Sequence, residues 1–301
     1  MIPEFPVFKR IDLADAKEVQ QFTEQFPPYS DYNFISLWAW NINDTVCLSK
    51  LNGNLVVRFI DYLTGKPLYS FLGINSVNET VQTLLALSEK EGIELVLRLL
   101  PEVSITNLDA SRFNVTEDRD GFDYIYDVNS MLSMAGPKFH DKRRHRKYFE
   151  KTYPHQVVEL DISQPTTKDQ ILELYHDWVR IKMELGSTKH FQNEFLSLLR
   201  YLNGLSCKEH AAVGIFHNDR LIAVSISENT HAGYNICHFQ KVITENYRGL
   251  NVYLVHEVAK ILADQGIRYI NWEQDMGIPG LRESKESFQP CMFLKKYSVS
   301  T

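Results

Sequence analysis

Carboxylates, cations and glycines converge in one stretch of the sequence: Asn271-Trp-Glu273-Gln-Asp275-Met-Gly277-Ile-Pro-Gly280-Leu-Arg282-Glu-Ser-Lys285-Glu-Ser287-Phe288. It continues from Tyr269–Trp272, whose apolar character reads as a core strand. Strand alternation puts Asn271, Glu273 and Asp275 on one face, with Trp272 and Met276 on the other. Three polar side chains at the end of a core strand are costly unless they are hydrogen-bonded or face a cleft. Gly277 and Gly280 let the chain bend, which is expected to bring Arg282 and Lys285 to those carboxylates. Glu273 or Asp275, with a pKa raised by burial or by its neighbour, would be a general base for an amine nucleophile. The alternative is a salt-bridge cluster that pins the loop.

A second constellation is Lys138-Phe-His-Asp-Lys142-Arg143-Arg144-His145-Arg146-Lys147-Tyr-Phe-Glu-Lys151, with seven basic and two acidic residues in a chain of net charge −6. On a helix Lys142 and Arg146 share one face, and Arg143, Lys147 and Lys151 another. Such a helix is either solvated and neutralised by the protein's own acid, or a docking surface for phosphates of a nucleotide cofactor, a tRNA or a lipid head group. A third candidate is Thr244-Glu-Asn246-Tyr-Arg248-Gly249-Leu-Asn251, between an apolar strand and a helix. Backbone N–H groups at a helix start, a glycine and an arginine together suit a pyrophosphate. The plain alternative is a turn in which Gly249 supplies an unusual backbone angle.

Other chemistries lack support. There is no GxGxxG, GxxxxGK[ST] or GxSxG. His256-Glu257 opens like a zinc-protease helix, but Lys260 stands where the second His would fall, so no metal is expected. Cys47, Cys207, Cys237 and Cys291 form no CxxC pair and read as bystanders rather than nucleophiles. With 44% apolar and 12% aromatic residues the chain is globular rather than disordered. It has no run of the roughly 18 apolar residues a membrane span needs and no secretory signal, so a cytoplasmic location is expected.

The elements that must position these residues alternate between strand and helix. Strands are expected at Leu55–Ile60, Leu68–Leu72, Glu94–Leu99, Phe122–Val128, Gln156–Leu160, Ala212–Phe216, Leu221–Ser227, Tyr234–Val242 and Tyr269–Trp272. Helices are expected at Val77–Glu91, Phe139–Thr152, Lys168–Leu185, Phe191–Leu202 and Leu250–Gln265, with Thr167 capping the third. A polar turn, His217-Asn-Asp-Arg220, marks a hairpin. Val81–Arg98 and Val255–Trp272 share a layout of helix, glycine stop (Gly92, Gly266) and strand, which points to a tandem duplication. The join is placed in Asn129–Pro137, giving domains 1–130 and 131–301.

These residues resemble a known family. The Asn271–Phe288 loop is similar to the pattern N-R-E-x-D-x-G-x-x-G-L-R-x-x-K-x-S-Y of bacterial proteins sharing the carboxy-terminal domain of phosphatidylglycerol lysyltransferases. Further matches are Tyr29-Ser-Asp-Tyr-Asn-Phe with Leu37-Trp-Ala-Trp40, Asp123-Tyr-Ile-Tyr-Asp127 with the basic helix, and His238-Phe-Gln-Lys241. Trp272 stands where the family usually has Arg, and Gln240 where Glu is usual. The resemblance implies an α/β (α+β) fold of two tandem GNAT-like acyltransferase domains, as in Fem-type aminoacyltransferases. Relatives pass acyl or aminoacyl groups from coenzyme A thioesters or aminoacyl-tRNA to an amine or hydroxyl. By position, Glu273, Asp275, Gly277, Gly280, Arg282 and Lys285 match the family loop, Lys142, Arg143, His145 and Phe149 its basic helix, and His238 and Lys241 its strand.

Together these observations lead to an acyl- or aminoacyltransferase using direct attack. Glu273 or Asp275 is the expected base. Arg282, Lys285, Lys142, Arg143, His145, His238 and Lys241 are expected to hold substrate, and Arg248, Gly249 and Asn251 the donor. Coenzyme A is preferred to aminoacyl-tRNA as donor, because a pI near 5.9 argues against a broad RNA footprint. An anionic phosphate-bearing partner is thus expected, with tRNA and peripheral lipid contact left open. The alternative is a non-catalytic binding protein that retains the fold.

Overall fold

Two successive left-handed residues, Asn218 (φ 49°) and Asp219 (φ 61°), close the hairpin foreseen at His217–Arg220. That conformation matches the right-handed twist of the flanking strands, and His210–His217 pairs antiparallel with Arg220–Asn229. The computed structural model describes residues 1–61, 65–187, 191–204 and 210–301. Cys207 lies outside the described residues.

The chain divides into two units. The first comprises residues 1–124, 274–283 and 293–301, and the second 125–273 and 284–292. Where the sequence suggests one cut after residue 130, the contact division falls between Tyr124 and Ile125 and returns two late segments to the first unit.

In the first unit a four-stranded antiparallel sheet runs in the order Lys9–Arg10, Cys47–Leu51, Asn54–Ile60, Pro67–Leu72. A three-stranded sheet, Val96–Pro101, Lys296–Ser300, Asn114–Glu117, places the carboxy-terminal strand in its centre. Helix Val77–Glu91 buries Val81, Leu84 and Leu85 in a core with Val56, Tyr69 and Phe71 of the first sheet and Leu97, Leu100 and Val299 of the second. Apolar residues at i, i+3 and i+4 make this the buried face of an amphipathic helix.

Most residues of a seven-stranded sheet belong to the second unit. The sheet order is Met292–Leu294, Asp123–Asp127, Tyr269–Asn271, Tyr234–Val242, Arg220–Asn229, His210–His217, Gln156–Glu159. Tyr234–Val242 and Tyr269–Asn271 run parallel, because helix Leu250–Asp264 returns the chain between them. Their pairing is short: it ends at Ile236↔Asn271.

The repeated layout is present in both halves: three antiparallel strands, a helix, a left-handed glycine (Gly92 φ 67°, Gly266 φ 75°) and a strand. This is the mixed α/β fold of two tandem GNAT-like halves that the resemblance implies. Several details differ from expectation. The third foreseen helix starts at Pro165, whose fixed φ and missing N–H suit a first turn, so Thr167 lies inside it and does not cap it. Residues read as loop at Pro279–Glu286 form a helix. Asn114–Glu117 is exposed along its whole length and exists as a strand through its partner Lys296–Ser300, a pairing no local pattern announces.

Candidate functional site

Alternation does not carry through Asn271–Asp275. The strand stops at Asn271, whose side chain accepts from the Glu273 N–H at 2.7 Å, and Glu273 (φ 55°) and Met276 (φ 55°) adopt left-handed backbone. The expectation of three polar groups on one strand face is therefore corrected. Glu273 and Asp275 enter separate clusters, each within its own unit.

Asp275, fully buried, is the centre of a clamp in the first unit. Arg282 donates from Nε and Nη2 to its two oxygens, each at 2.8 Å. Tyr124 donates its hydroxyl at 2.5 Å, Arg119 lies at 3.2 Å and the Gly277 N–H at 2.8 Å. Burial alone would push the Asp275 carboxyl up, but the hydrogen bonds from Arg282, Tyr124 and Gly277 outweigh it and hold its pKa at about 2. A carboxylate so acidic, with its lone pairs engaged by five donors, does not take a proton at neutral pH. Arg282 also binds Asp120 at 2.6 Å. The foreseen meeting of Arg282 with a carboxylate is present, and it fastens the loop. Gly277 (φ 69°) is part of the same construction, since a Cβ there would lie 2.7 Å from Asp120.

Two family stretches meet in this unit as well. The Ser30 N–H and hydroxyl donate to Asp123 at 2.8 and 2.6 Å, and the buried Lys296 amino group binds Asp123 at 2.7 Å. Asn33 caps helix Phe34–Ala39.

In the second unit, Glu273 meets His238. The register of Tyr234–Val242 against Arg220–Asn229 skips one residue, pairing Ile226 with Phe239 and Ser227 with Cys237, so His238 is a β-bulge. Bulges re-aim a side chain, and here the imidazole reaches two carboxylates. Its Nδ1 lies 3.2 Å from Glu273 Oε1 and its Nε2 3.2 Å from Glu228 Oε1. Burial would lower the imidazole pKa, but the hydrogen bonds and charges of Glu228 and Glu273 prevail and raise it to about 9. At neutral pH the ring is therefore an imidazolium between the two glutamates. Glu228 and His238 are buried, while the Glu273 side chain is about one-fifth exposed (21%). His238 and Glu273 stand two residues beyond the last parallel pair, Ile236↔Asn271.

Lys285 was expected at a carboxylate. Among the described contacts it donates to the main-chain carbonyls of Trp272 (2.5 Å) and Glu273 (3.2 Å). Trp272 packs between Tyr126 and Phe288, with ring centroids at 4.3 and 5.1 Å. The Lys142 ammonium sits 3.5 Å over the Phe288 ring and donates to Ser287 at 2.9 Å. The basic helix and the residues that close the loop therefore meet. Burial pushes the Lys142 pKa down to about 8.

Of the seven Lys and Arg residues from 138 to 151, only Arg144 has an acidic ion-pair partner within 4 Å among the described residues, Asp141 at 3.2 Å, while the Arg146 charge also acts on Glu257. Arg143 donates to the carbonyls of Met134 and Gly136, closing the end of helix Val128–Ser133. Burial and the nearby Arg248 charge lower the His145 pKa. Arg248 lies 3.4 Å from the His145 ring and stacks on Tyr148. Gly249 has φ 89°, and a Cβ there would lie 2.1 Å from the His145 carbonyl oxygen. The close approach this glycine permits is thus occupied by the basic helix. Asn251 accepts from Gln240 at 2.9 Å. Lys241 is bound by Glu194 at 2.6 Å and covered by Trp178 at 4.4 Å. Burial raises the pKa of Cys47, of Cys291 and, to about 11, of Cys237, the opposite of an activated thiol.

Sequence reasoning missed Glu228, Arg119, Tyr124 and Glu194. Glu228 left a faint signal, a charge directly following the apolar run Leu221–Ser227. The others are brought in by chain distant in sequence.

The family model for the carboxy-terminal domain of phosphatidylglycerol lysyltransferase matches residues 24–300. The chain belongs to this family. Among solved structures it is similar to a conserved protein of unknown function from Bacteroides thetaiotaomicron, with 26% identity, a TM-score of 0.84, and coverage of 100% of this chain and 99% of that one. L-PGS from Bacillus licheniformis shares the fold at 13% identity and a TM-score of 0.61, covering 95% and 91%. FemX does so at 9% identity and a TM-score of 0.58, covering 97% and 96%. Comparison with curated proteins gives no match. Among the described residues of this family member, no helix is long and apolar enough to cross a membrane.

Proposed function

We propose that the protein is an aminoacyltransferase that passes an aminoacyl group from tRNA directly to an amine or hydroxyl acceptor, with Glu273 as general base. The observation that carries this reading is the Glu273–His238 pair. A partly exposed carboxylate is held at 3.2 Å by a buried imidazolium, just past the end of a parallel strand pair. Ends of parallel strands in α/β sheets are where ligands bind. Asp275, the other candidate base, is too acidic and too fully bonded for the role.

In the proposed reaction the acceptor attacks the aminoacyl ester carbonyl while Glu273 takes its proton. The ribose hydroxyl of the tRNA leaves with a proton, and no side-chain nucleophile takes part. Main-chain N–H groups of Tyr234–Val242 beyond Ile236, on the edge where parallel pairing has ended, would polarise the carbonyl. Lys285 would act through the Trp272 and Glu273 carbonyls, keeping the base in place.

Two observations favour tRNA over coenzyme A. Among the described residues only Arg144 of the basic helix's Lys and Arg residues has an acidic ion-pair partner within 4 Å, which suits a phosphate-rich partner. The Arg248–Gly249 turn is packed against that helix at the point where a pyrophosphate would need to approach.

The test is transfer of labelled amino acid from charged tRNA to phosphatidylglycerol vesicles and to soluble amines, with acyl-coenzyme A donors in parallel. Glu273→Gln is expected to slow transfer roughly 10²- to 10⁴-fold without altering the fold. Transfer from acyl-coenzyme A alone would replace the donor. Donor binding with no transfer to any acceptor would leave a binding protein.

A further inference from the structure

We infer that Glu228 is a positioning residue for the transfer reaction: it keeps the His238 imidazole protonated and turned toward Glu273, and so holds the base in its working geometry. The inference rests on the assignment of Glu273 as base. Glu228 occupies the penultimate position of Arg220–Asn229 and is 3% exposed. A buried carboxylate is expensive unless paired, and an ion pair in a protein interior is weak evidence of stabilisation. Here the pairing has a directional consequence. Glu228 takes Nε2, which leaves Nδ1 for Glu273, so the two hydrogen bonds fix the plane of the ring from opposite ends. The bulge at His238 is what lets one strand residue reach both.

The other groups packed on the ring do not substitute for Glu228. The Tyr201 ring, from helix Gln192–Gly204, lies 5.8 Å from the imidazole centroid and supplies a wall. The Lys285 ammonium is bonded to the Glu273 main-chain carbonyl and supplies no acceptor to the ring. With Glu228 neutral, the imidazolium would lose one of the two carboxylates described beside it and still face the cost of burial. The ring would then lose its proton at lower pH, and Glu273 would lose its charged partner.

The experiment combines ring-proton NMR titration of His238 with the pH profile of aminoacyl transfer, in the full-length protein and in Glu228→Gln and Glu228→Asp. Thermal melting is run first to confirm folding. In Glu228→Gln the His238 titration is expected to move down by one unit or more, and the alkaline limb of kcat to move down with it, with KM for charged tRNA unchanged. Glu228→Asp, which keeps the charge, is expected to recover most of both shifts. A folded Glu228→Gln with an unchanged His238 titration overturns the inference, as does a shifted titration with an unshifted kcat profile. Failure of the Glu273 assignment looks different: Glu273→Gln would then transfer at the normal rate. A purely structural role would lower the melting temperature and leave both pH midpoints in place.

Discussion

Arg282 grips Asp275 through two hydrogen bonds of 2.8 Å, closing a ring of only eight residues around Gly277 and Gly280. This fork-on-fork contact makes the most motif-rich loop of the chain a rigid object, and it leaves Glu273, two residues before Asp275, to act separately.

Breaking the clamp should destabilise the first unit. Asp275→Asn leaves Arg282 and Arg119 facing a neutral amide and is expected to cost about 3–5 kcal/mol, as for loss of one partner of a buried ion pair. Arg282→Lys is expected to cost less but still lower the melting temperature, because an ammonium cannot reproduce the two parallel bonds. Equal denaturation midpoints for wild type and Asp275→Asn would contradict the account.

The same carboxylate predicts an acid dependence. Its folded pKa of about 2 lies below the ordinary 3.8. Its contribution is therefore present in full above pH ~4 and disappears as pH falls through about 2, a change of about 2 kcal/mol. Urea midpoints measured from pH 5 to pH 2 should fall more steeply in wild type than in Asp275→Asn.

His238 gives the opposite sign. Its folded pKa is raised to about 9 from 6.5, so its stabilising charge is fully present below pH ~6.5 and is lost as pH rises through about 9. Stability should decline across that window in wild type and stay level there in His238→Gln. A flat wild-type curve between pH 6 and 10 would show that the imidazole is not held as a cation.

Gly249→Ala should be among the most damaging small substitutions. The new methyl would meet the His145 carbonyl at 2.1 Å, on a residue already at φ 89°. Backbone strain and overpacking each contribute about 1–3 kcal/mol, so a clear drop in melting temperature is expected whether or not a donor is present.

Donor identity can be read from salt dependence. If the basic helix tracks RNA, Lys147→Ala and Lys151→Ala should each reduce the slope of log affinity for tRNA against log salt by about 1. Neither residue has an acidic partner among the described residues, so the fold should be unaffected. Coenzyme A binding that depends on Arg248, with tRNA affinity untouched by either lysine change, would reverse the choice of donor.

The local periodicities of this chain determined its elements and their order. Helix Val77–Glu91 and strand Tyr234–Val242 occupy the residues that the apolar pattern assigns them, and the glycine stops at Gly92 and Gly266 mark the repeated layout. Those features depend on neighbours within a few residues, so a linear text contains them. The division of labour within the loop was decided only by the tertiary structure. Glu273 and Asp275 are similar carboxylates two residues apart, but one meets a histidine displaced by a bulge and the other is enclosed by Arg119 and Tyr124. A pKa is set by burial and by charges within a few ångströms, and the neighbours that separate the two roles, His238, Arg119 and Tyr124, lie 35 to 156 residues away. Gly249 shows the same limit. Its need for a left-handed backbone was legible, but what it makes room for, the carbonyl of His145, depends on how two helices pack.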